Sequence, residues 1–74
     1  MTPYKNLSGT SGVRAYAIGK DHIDVEFTDG GTYRYSYRAP GRSQVEKMKI
    51  LAEEGRGLAT YVNKYVRDNF ERKL

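Results

Sequence analysis

Residues 22–38, HIDVEFTDGGTYRYSYR, decide the fold of this 74-residue chain. In the first half of the stretch, Ile23, Val25 and Phe27 alternate with polar residues, and in the second half three tyrosines alternate in the same way. Alternation with a period of two is typical of a strand that buries one face. The Asp-Gly-Gly sequence at residues 29–31 is a turn signal. The stretch therefore predicts a β-hairpin.

The length of the hairpin loop follows from which side chains must share a face. Directly paired residues of antiparallel strands lie on the same face. A two-residue turn would pair Thr28 with Tyr33 and expose one whole apolar row. A three-residue loop over residues 29–31 pairs Phe27 with Tyr33 and keeps both rows on the core side, and glycine suits the left-handed position of such a loop. We therefore expect the second register.

A further strand precedes the hairpin. Val13–Ile18 (VRAYAI) has the composition of a strand and is followed by Gly-Lys-Asp at residues 19–21. The same reasoning about faces pairs Ala17 with Ile23 and Val13 with Phe27. The sequence thus predicts a three-stranded antiparallel meander with one apolar face.

Two amphipathic helices are expected after the sheet, which ends at the Ala-Pro-Gly sequence of residues 39–41. Ser43 and Glu46 have the spacing of a capping box, and Gly55 is a natural helix stop. The second helix is expected over residues 58–70, where apolar residues form a stripe. Because both helices can cover the apolar face of the sheet, we predict an α+β fold, in the order β-β-β-α-α, with the helices packed on one face.

The chain is short enough to form one domain. Residues 1–12 are polar and rich in Gly, Ser and Thr, so we expect a flexible N-terminal arm before a single domain over residues 13–74. The chain has no cysteine, which favours a reducing, cytoplasmic compartment and excludes thiolate metal sites. The N-terminus does not resemble a signal peptide, and no stretch has the length of a membrane span.

The net charge of +4 is spread along the chain. Residues 1–12 contribute +1, residues 13–42 contribute +1 and residues 43–74 contribute +2. A nucleic-acid-binding protein more often carries a clustered basic stripe. The charge is therefore compatible with an anionic partner but does not select one.

Several short motifs resemble those of the KTSC family. They are Ser-Gly-Val at 11–13, Val-Glu-Phe at 25–27, Asp-Gly-Gly at 29–31, Tyr-Arg-Tyr at 33–35, Ala-Pro at 39–40, and Gly-Arg-Gly-Leu at 55–58 leading to Tyr-Val-Asn at 61–63. The resemblance covers residues 11–65. In this chain the first turn is shorter than is usual in the family, the first helix is longer, and the tail past Asn63 differs. It implies the same order of strands and helices. The family is named for a module at the C-terminus of some lysyl-tRNA synthetases and includes small stand-alone bacterial and phage proteins, which by association points to RNA.

The open face of the predicted sheet is the first candidate surface. The expected register places on it Arg14, Tyr16, Arg34 and Arg38, which could contact phosphates through arginine and a base through the tyrosine ring. Asp24 and Glu26 share this face, so a surface charge ladder is the alternative interpretation. A second candidate is the corner between the helices, where Arg56 and Gly57 would offer a guanidinium and helix N-terminal amides to an anion.

Catalytic and metal-dependent functions are not expected. His22, Asp24 and Ser36 fall on one face, but the predicted register pairs Ser36 with Asp24 and leaves the histidine out of position for a triad. One histidine with scattered carboxylates does not supply a transition-metal site, and no motif indicates a cofactor.

The sequence therefore predicts a non-catalytic domain that binds RNA or another polyanion. The candidate contacts are Arg14, Tyr16, Arg34, Arg38, Arg56 and Gly57. The alternative is a protein-interaction module that uses a sheet edge or a rim of tyrosines, either with another protein or as a homodimer. This tyrosine rim comprises Tyr33, Tyr35, Tyr37, Tyr61 and Tyr65. No membrane or metal partner is expected.

Overall fold

Within residues 1–7, 9 and 11–74, which the structure describes, a computed structural model of the protein shows five antiparallel strands and two helical regions. The strands lie in the sheet in chain order. Their bounds are β1 Thr2–Pro3, β2 Val13–Ile18, β3 His22–Phe27, β4 Thr32–Ser36 and β5 Arg72–Lys73, and the helices between β4 and β5 are α1 Arg42–Glu54 and α2 Leu58–Tyr61, the latter continued by a π-helical turn over Val62–Val66.

The α+β class is confirmed, but the sheet has five strands instead of three. The additional strands, β1 and β5, have two residues each and pair with the outer edges of β2 and β4. A two-residue strand is too short to show a period of two in the sequence. Both strands therefore depend on contacts with the rest of the sheet, which local sequence does not reveal.

The hairpin keeps the predicted faces with a different pairing. Tyr33 lies opposite Val25, whereas Phe27 was expected there, so that prediction of pairing is wrong by two residues. The reason is that the three-residue loop comprises residues 28–30: Phe27 N–H donates to Gly31 O, and Gly30 takes the left-handed position with φ 98°. A shift of two residues does not change the face on which a side chain lies.

A bulge at Arg14 changes the faces of β2. Val13 pairs with Phe27 as predicted, but Ala15 then pairs with Glu26, which leaves Arg14 as the extra residue. An inserted residue moves every following side chain to the opposite face. The predicted pairing of Ala17 with Ile23 is therefore wrong, since Ile18 lies opposite Ile23 and Tyr16 opposite Val25.

The core lies between one face of the sheet and the helices. Ile23, Val25 and Tyr35 supply its sheet side and are at most 1% exposed. Both helical regions contribute to the same cluster, which confirms that they pack on one face. The cluster's helical members are Val45, Met48, Ala52, Leu58, Val62 and Val66.

The described part of residues 1–12 contacts this core. Tyr4 is buried, and its hydroxyl accepts a hydrogen bond from the Leu58 backbone N–H at 3.3 Å. Leu7 N–H donates to Gly55 O at 2.8 Å. Residues 8 and 10 of the predicted arm lie outside the described residues. Tyr4 thus joins the N-terminal segment to the start of α2 across the core.

Helix α1 begins one residue before the predicted capping box. Gly41 precedes the helix, and among the described residues no side chain bonds to its N-terminal cap. Ser43 lies inside the first turn, and Glu46 accepts a hydrogen bond from the Tyr37 hydroxyl. Because the N-cap position is taken by Gly41 and not by Ser43, the capping box does not form. Gly55 ends the helix in the left-handed conformation, as predicted, with φ 80°.

The second helical region is shorter than the predicted helix over residues 58–70. It ends at Val66, and Arg67 N–H donates to Val62 O, the i to i+5 bond of a π-helix. The chain then leaves the helix so that Phe70 packs against the sheet and β5 pairs with β4. In the described part of the chain, no helix has the length and apolarity needed to cross a membrane.

We expect Tyr4→Phe to destabilise the fold, because it leaves the buried Leu58 N–H without its acceptor. The free energy of unfolding should fall by about 1–3 kcal/mol, measured by urea denaturation. Tyr65→Phe is the matched control: its side chain is exposed, and its effect should stay within about 0.5 kcal/mol. Equal effects of the two substitutions would contradict the role of the Tyr4 hydroxyl.

Candidate binding cleft

An ion pair occupies the centre of the open sheet face. Arg34 on β4 donates to both carboxylate oxygens of Asp24 on β3, with Nε to Oδ1 at 2.8 Å and Nη2 to Oδ2 at 3.0 Å. The hydrogen bond to Asp24 raises the pKa of the Arg34 guanidinium. A two-pronged pair of this kind uses the donors that a phosphate would otherwise need. The Arg34 guanidinium is therefore already bound within the sheet, by Asp24.

His22 and Ser36 lie directly opposite each other, which corrects the predicted pairing of Ser36 with Asp24. The His22 Nδ1 atom is 3.1 Å from Asp21 Oδ1, and its Nε2 atom is 3.9 Å from Asp24 Oδ2. Ser36 is buried, and its hydroxyl oxygen accepts a hydrogen bond from Arg38 N–H. These contacts hold the end of β4 and the neighbouring turn together.

The remaining predicted residues of the open face are dispersed. Arg14 is exposed at the bulge in β2, and β3 lies between its strand and that of Arg34. Arg38 is exposed beyond the end of β4. The prediction that Tyr16 lies on the open face is wrong: the bulge turns it into the core, where it is 9% exposed. The structure therefore separates the arginines and removes the stacking ring from their face.

The corner between the helices is partly occupied by the protein itself. Arg56 is exposed between Gly55 and Gly57, both of which have left-handed backbones with φ 80° and 81°. The first N–H of α2, that of Leu58, donates to the Tyr4 hydroxyl. Gly57 is explained by its backbone angle, since a Cβ atom there would meet only an ordinary contact with Leu51 at 3.7 Å.

A cleft of about 330 Å³ opens at the Tyr33 end of the tyrosine row, which comprises Tyr33, Tyr35 and Tyr37. It lies between the hairpin loop, the π-helical turn and the C-terminal segment. Its volume is in the range of small-ligand sites. The cleft is lined by Phe27, Asp29, Tyr33, Tyr35, Val62, Asn63, Arg67, Asp68 and Phe70.

Aromatic rings form the apolar part of the cleft. Phe70 packs against Tyr33, with ring centroids 4.7 Å apart, and against Tyr35, at 6.2 Å with an edge-to-face geometry. Phe27 contacts Tyr33 edge-to-face at 5.8 Å. Rings held in this way present fixed faces and edges to a planar or apolar group.

The opposite end of the tyrosine row is closed. Tyr37 donates its hydroxyl proton to Glu46 at 2.7 Å, and this hydrogen bond raises the pKa of the Tyr37 phenol. The charged groups of Arg42 and Lys49 each lie 5.6 Å from the Tyr37 ring centroid. Because its hydroxyl and ring already have partners, Tyr37 is bound to α1, and the open part of the tyrosine row is at Tyr33.

The rim of the cleft is polar. Asp29 and Asp68 bring carboxylates, while Asn63 and Arg67 bring hydrogen-bond donors, and all four residues are exposed. Arg67 has an unusual backbone conformation, with φ 23° and ψ −98°. Backbone strain and π-helical turns both concentrate at functional sites. Arg67 combines the two features at the mouth of the cleft.

Burial raises the pKa of the Tyr35 phenol to about 12. The side chain is 1% exposed, and its hydroxyl is 3.4 Å from the Arg67 carbonyl oxygen, to which it donates. Tyr35 thus reaches from the sheet to the strained residue. The phenol stays protonated over the whole range in which the protein would meet a partner.

Sequence reasoning found the tyrosine row but missed the C-terminal wall of the cleft. A helix continued to residue 70 would have kept Phe70, Arg67 and Asp68 on helical faces. The two-residue strand β5 gave no detectable signal. Among the described residues, no group of three or more His, Cys, Asp or Glu side chains is placed to hold a metal ion.

Comparisons with protein-family models, with curated proteins and with solved structures found no match. Membership of the KTSC family stays a prediction. Function is therefore inferred from the contacts of the described residues.

We expect the stability of the protein to fall as the pH rises from about 10 to about 12. The pKa of Tyr35 is about 12 in the fold and about 10 in the unfolded chain, so its contribution is complete below pH 10 and is lost as the folded pKa is approached. Urea midpoints measured across this range test the loss. Tyr35→Phe should flatten the profile, and an unchanged slope in this variant would contradict the assignment.

We expect Arg34→Gln to lower the urea midpoint more than Arg38→Gln does. The first substitution leaves the Asp24 carboxylate, whose side chain is 10% exposed, without its cation, whereas Arg38 is exposed. Adding Asp24→Asn to Arg34→Gln should restore part of the stability, because two neutral amides replace an unpaired charge. Equal midpoints for the two arginine variants would show that the pair is not structural.

Proposed function

We propose that this protein is a non-catalytic protein-interaction module, and that its cleft binds an aromatic side chain of a partner's peptide segment. The observation that carries the proposal is an aromatic floor, made by the partly buried rings of Phe27, Tyr33 and Phe70, beneath a rim that holds both hydrogen-bond donors and acceptors. Pockets of this type combine apolar contact with a few orienting polar groups.

The composition of the rim favours a peptide over a phosphate chain. A peptide backbone presents both N–H donors and carbonyl acceptors, which match the carboxylates of Asp29 and Asp68 and the donors of Asn63 and Arg67. A phosphate only accepts hydrogen bonds, and two carboxylates would repel it. The paired state of Arg34 and the burial of Tyr16 further reduce the case for the open face.

The resemblance to the KTSC family also supports a small binding domain. The residues that carry the resemblance, 11–65, include six that line the cleft: Phe27, Asp29, Tyr33, Tyr35, Val62 and Asn63. We accordingly propose a KTSC-like domain that works in the cytoplasm, without a cofactor.

RNA or another polyanion is the second candidate partner. It is favoured by Arg72 and Lys73 on β5, which place two more cations next to Arg34 and Tyr33. The ammonium of Lys73 lies 5.7 Å from the Tyr33 ring centroid. Arg14, Arg38 and Arg56 would add exposed phosphate contacts in this version.

The cleft can be tested with a small probe. N-acetyl-tryptophanamide carries an aromatic ring between two backbone-like amides, and we expect its addition to ¹⁵N-labelled protein to shift the amide signals of Tyr33, Asn63, Arg67 and Phe70. Asn63→Trp should abolish the shifts because the new ring fills the cleft. Lys64→Trp is the matched control, since Lys64 is also exposed but does not line the cleft. Equal binding by both variants would reject the cleft as the site.

A uridine oligonucleotide separates the two candidate partners. If RNA is the partner, binding should weaken with salt, with a log–log slope of about −0.7 for each phosphate contact, and Arg14→Glu with Arg38→Glu should reduce affinity. If the cleft takes a peptide, the oligonucleotide should give no saturable shifts at low salt. Saturable binding of RNA without binding of the tryptophan probe would replace the first proposal by the second.

A further inference from the structure

The C-terminal segment, residues 67–74, is held to the domain differently from the rest of the chain. It leaves the π-helical turn, crosses the cleft and adds β5 to the edge of β4. Its backbone is joined to that strand by Glu71 N–H donating to Arg34 O at 2.7 Å and Leu74 N–H donating to Thr32 O at 2.8 Å.

Phe70 is the main side-chain anchor of this segment. It is the partly buried member of the segment that packs against the core cluster, and it contacts the rings of Tyr33 and Tyr35. Lys73 adds its contact with the ring of Tyr33. Each of these contacts joins the segment to β4. The covalent connection between the segment and the preceding helical region is at Arg67.

Arg67 is the connection, and its backbone is strained. A residue with a Cβ atom rarely adopts φ 23° with ψ −98°. The strain is needed only to turn the chain back onto its own sheet. If the segment extends away from the domain, Arg67 can take an ordinary backbone conformation.

We propose that two copies of this chain exchange their C-terminal segments to form a dimer, with β5 and Phe70 of each copy docked on β4 of the other. All contacts of the segment with β4 form again in the exchanged state. The hinge at Arg67 changes, and the hydrogen bond from Asn69 N–H to Val66 O, which spans the hinge, is lost. Exchange of identical elements is a low-energy route to dimers, and strained, short hinges promote it.

A second copy is the occupant that fits this edge, because the groove is already shaped by the same segment. The aromatic contact at Tyr33, the cation above it and the backbone bonds to Thr32 and Arg34 all match residues 70–74. This inference does not depend on the proposed function. In the exchanged dimer each cleft is completed by Phe70 of the other copy.

Two single-cysteine variants test the exchange, because the chain has no cysteine of its own. Thr32→Cys and Leu74→Cys place thiols on residues joined by a backbone hydrogen bond. The two variants are mixed, unfolded in urea, refolded together at increasing total concentration and oxidised. We expect a disulfide-linked heterodimer that grows with concentration and exceeds the homodimers formed by either variant alone, seen by mass spectrometry and non-reducing electrophoresis.

The hinge is tested by a matched pair of substitutions in the chain without added cysteines. Arg67→Gly tolerates the turned conformation, so the dimer fraction should fall several-fold in light scattering. Arg67→Lys keeps the charge and the strain, so the dimer fraction should remain as in the parent protein.

Three outcomes would overturn the proposal. The first is a monomer mass that persists up to about 1 mM, a concentration at which an intermolecular contact can compete with a tethered one. The second is an absence of heterodimer above the level of the homodimers. The third is a dimer that survives deletion of residues 70–74, because that dimer would use another surface.

Discussion

A sheet with one apolar face must be covered on that face, and the rest of the molecule is arranged to do so. Ile23 and Val25 lie opposite Tyr35 and Tyr33 across β3 and β4, so both strands turn the same side to the interior. Two helical regions, Tyr4 and Phe70 then close over that side. The cover is continuous near α1, where Tyr37 is bound through its hydroxyl, and it is incomplete near the hairpin loop, where the cleft opens.

The shared face was predictable because it depends only on a period of two, and a shift of two residues leaves it unchanged. This is why the faces of the hairpin are correct although the pairing of Phe27 with Tyr33 is not. A shift of one residue has the opposite effect, and the bulge at Arg14 is such a shift. It turns Tyr16 from the predicted open surface into the core. Nothing in VRAYAI distinguishes the two registers, because Ala15 and Ala17 are small side chains that can lie either in the core or on the open face.

The candidate site was predictable in part for the same reason. Alternation identified the tyrosine row, and the alternative interpretation as an interaction rim pointed to it. The wall made by Arg67, Asp68 and Phe70 required knowledge of where the second helical region ends, and its local sequence favours continued helix. The attraction of Phe70 to the rings of β4 overrides that preference, since the aromatic contacts and β5 form only after the chain has left the helix.

The C-terminal segment connects the two proposals physically. Because Phe70 forms one wall of the cleft, an aromatic group bound there would contact the segment as well as the sheet. Binding would then stabilise the docked state of the segment over the extended state, irrespective of which copy supplies it. The docked state within one chain carries the strain at Arg67, whereas in the exchange that we propose the docked state between two chains would not. A ligand that favours docking therefore does not select between the monomer and the exchanged dimer. The strain at the hinge and the protein concentration determine that equilibrium.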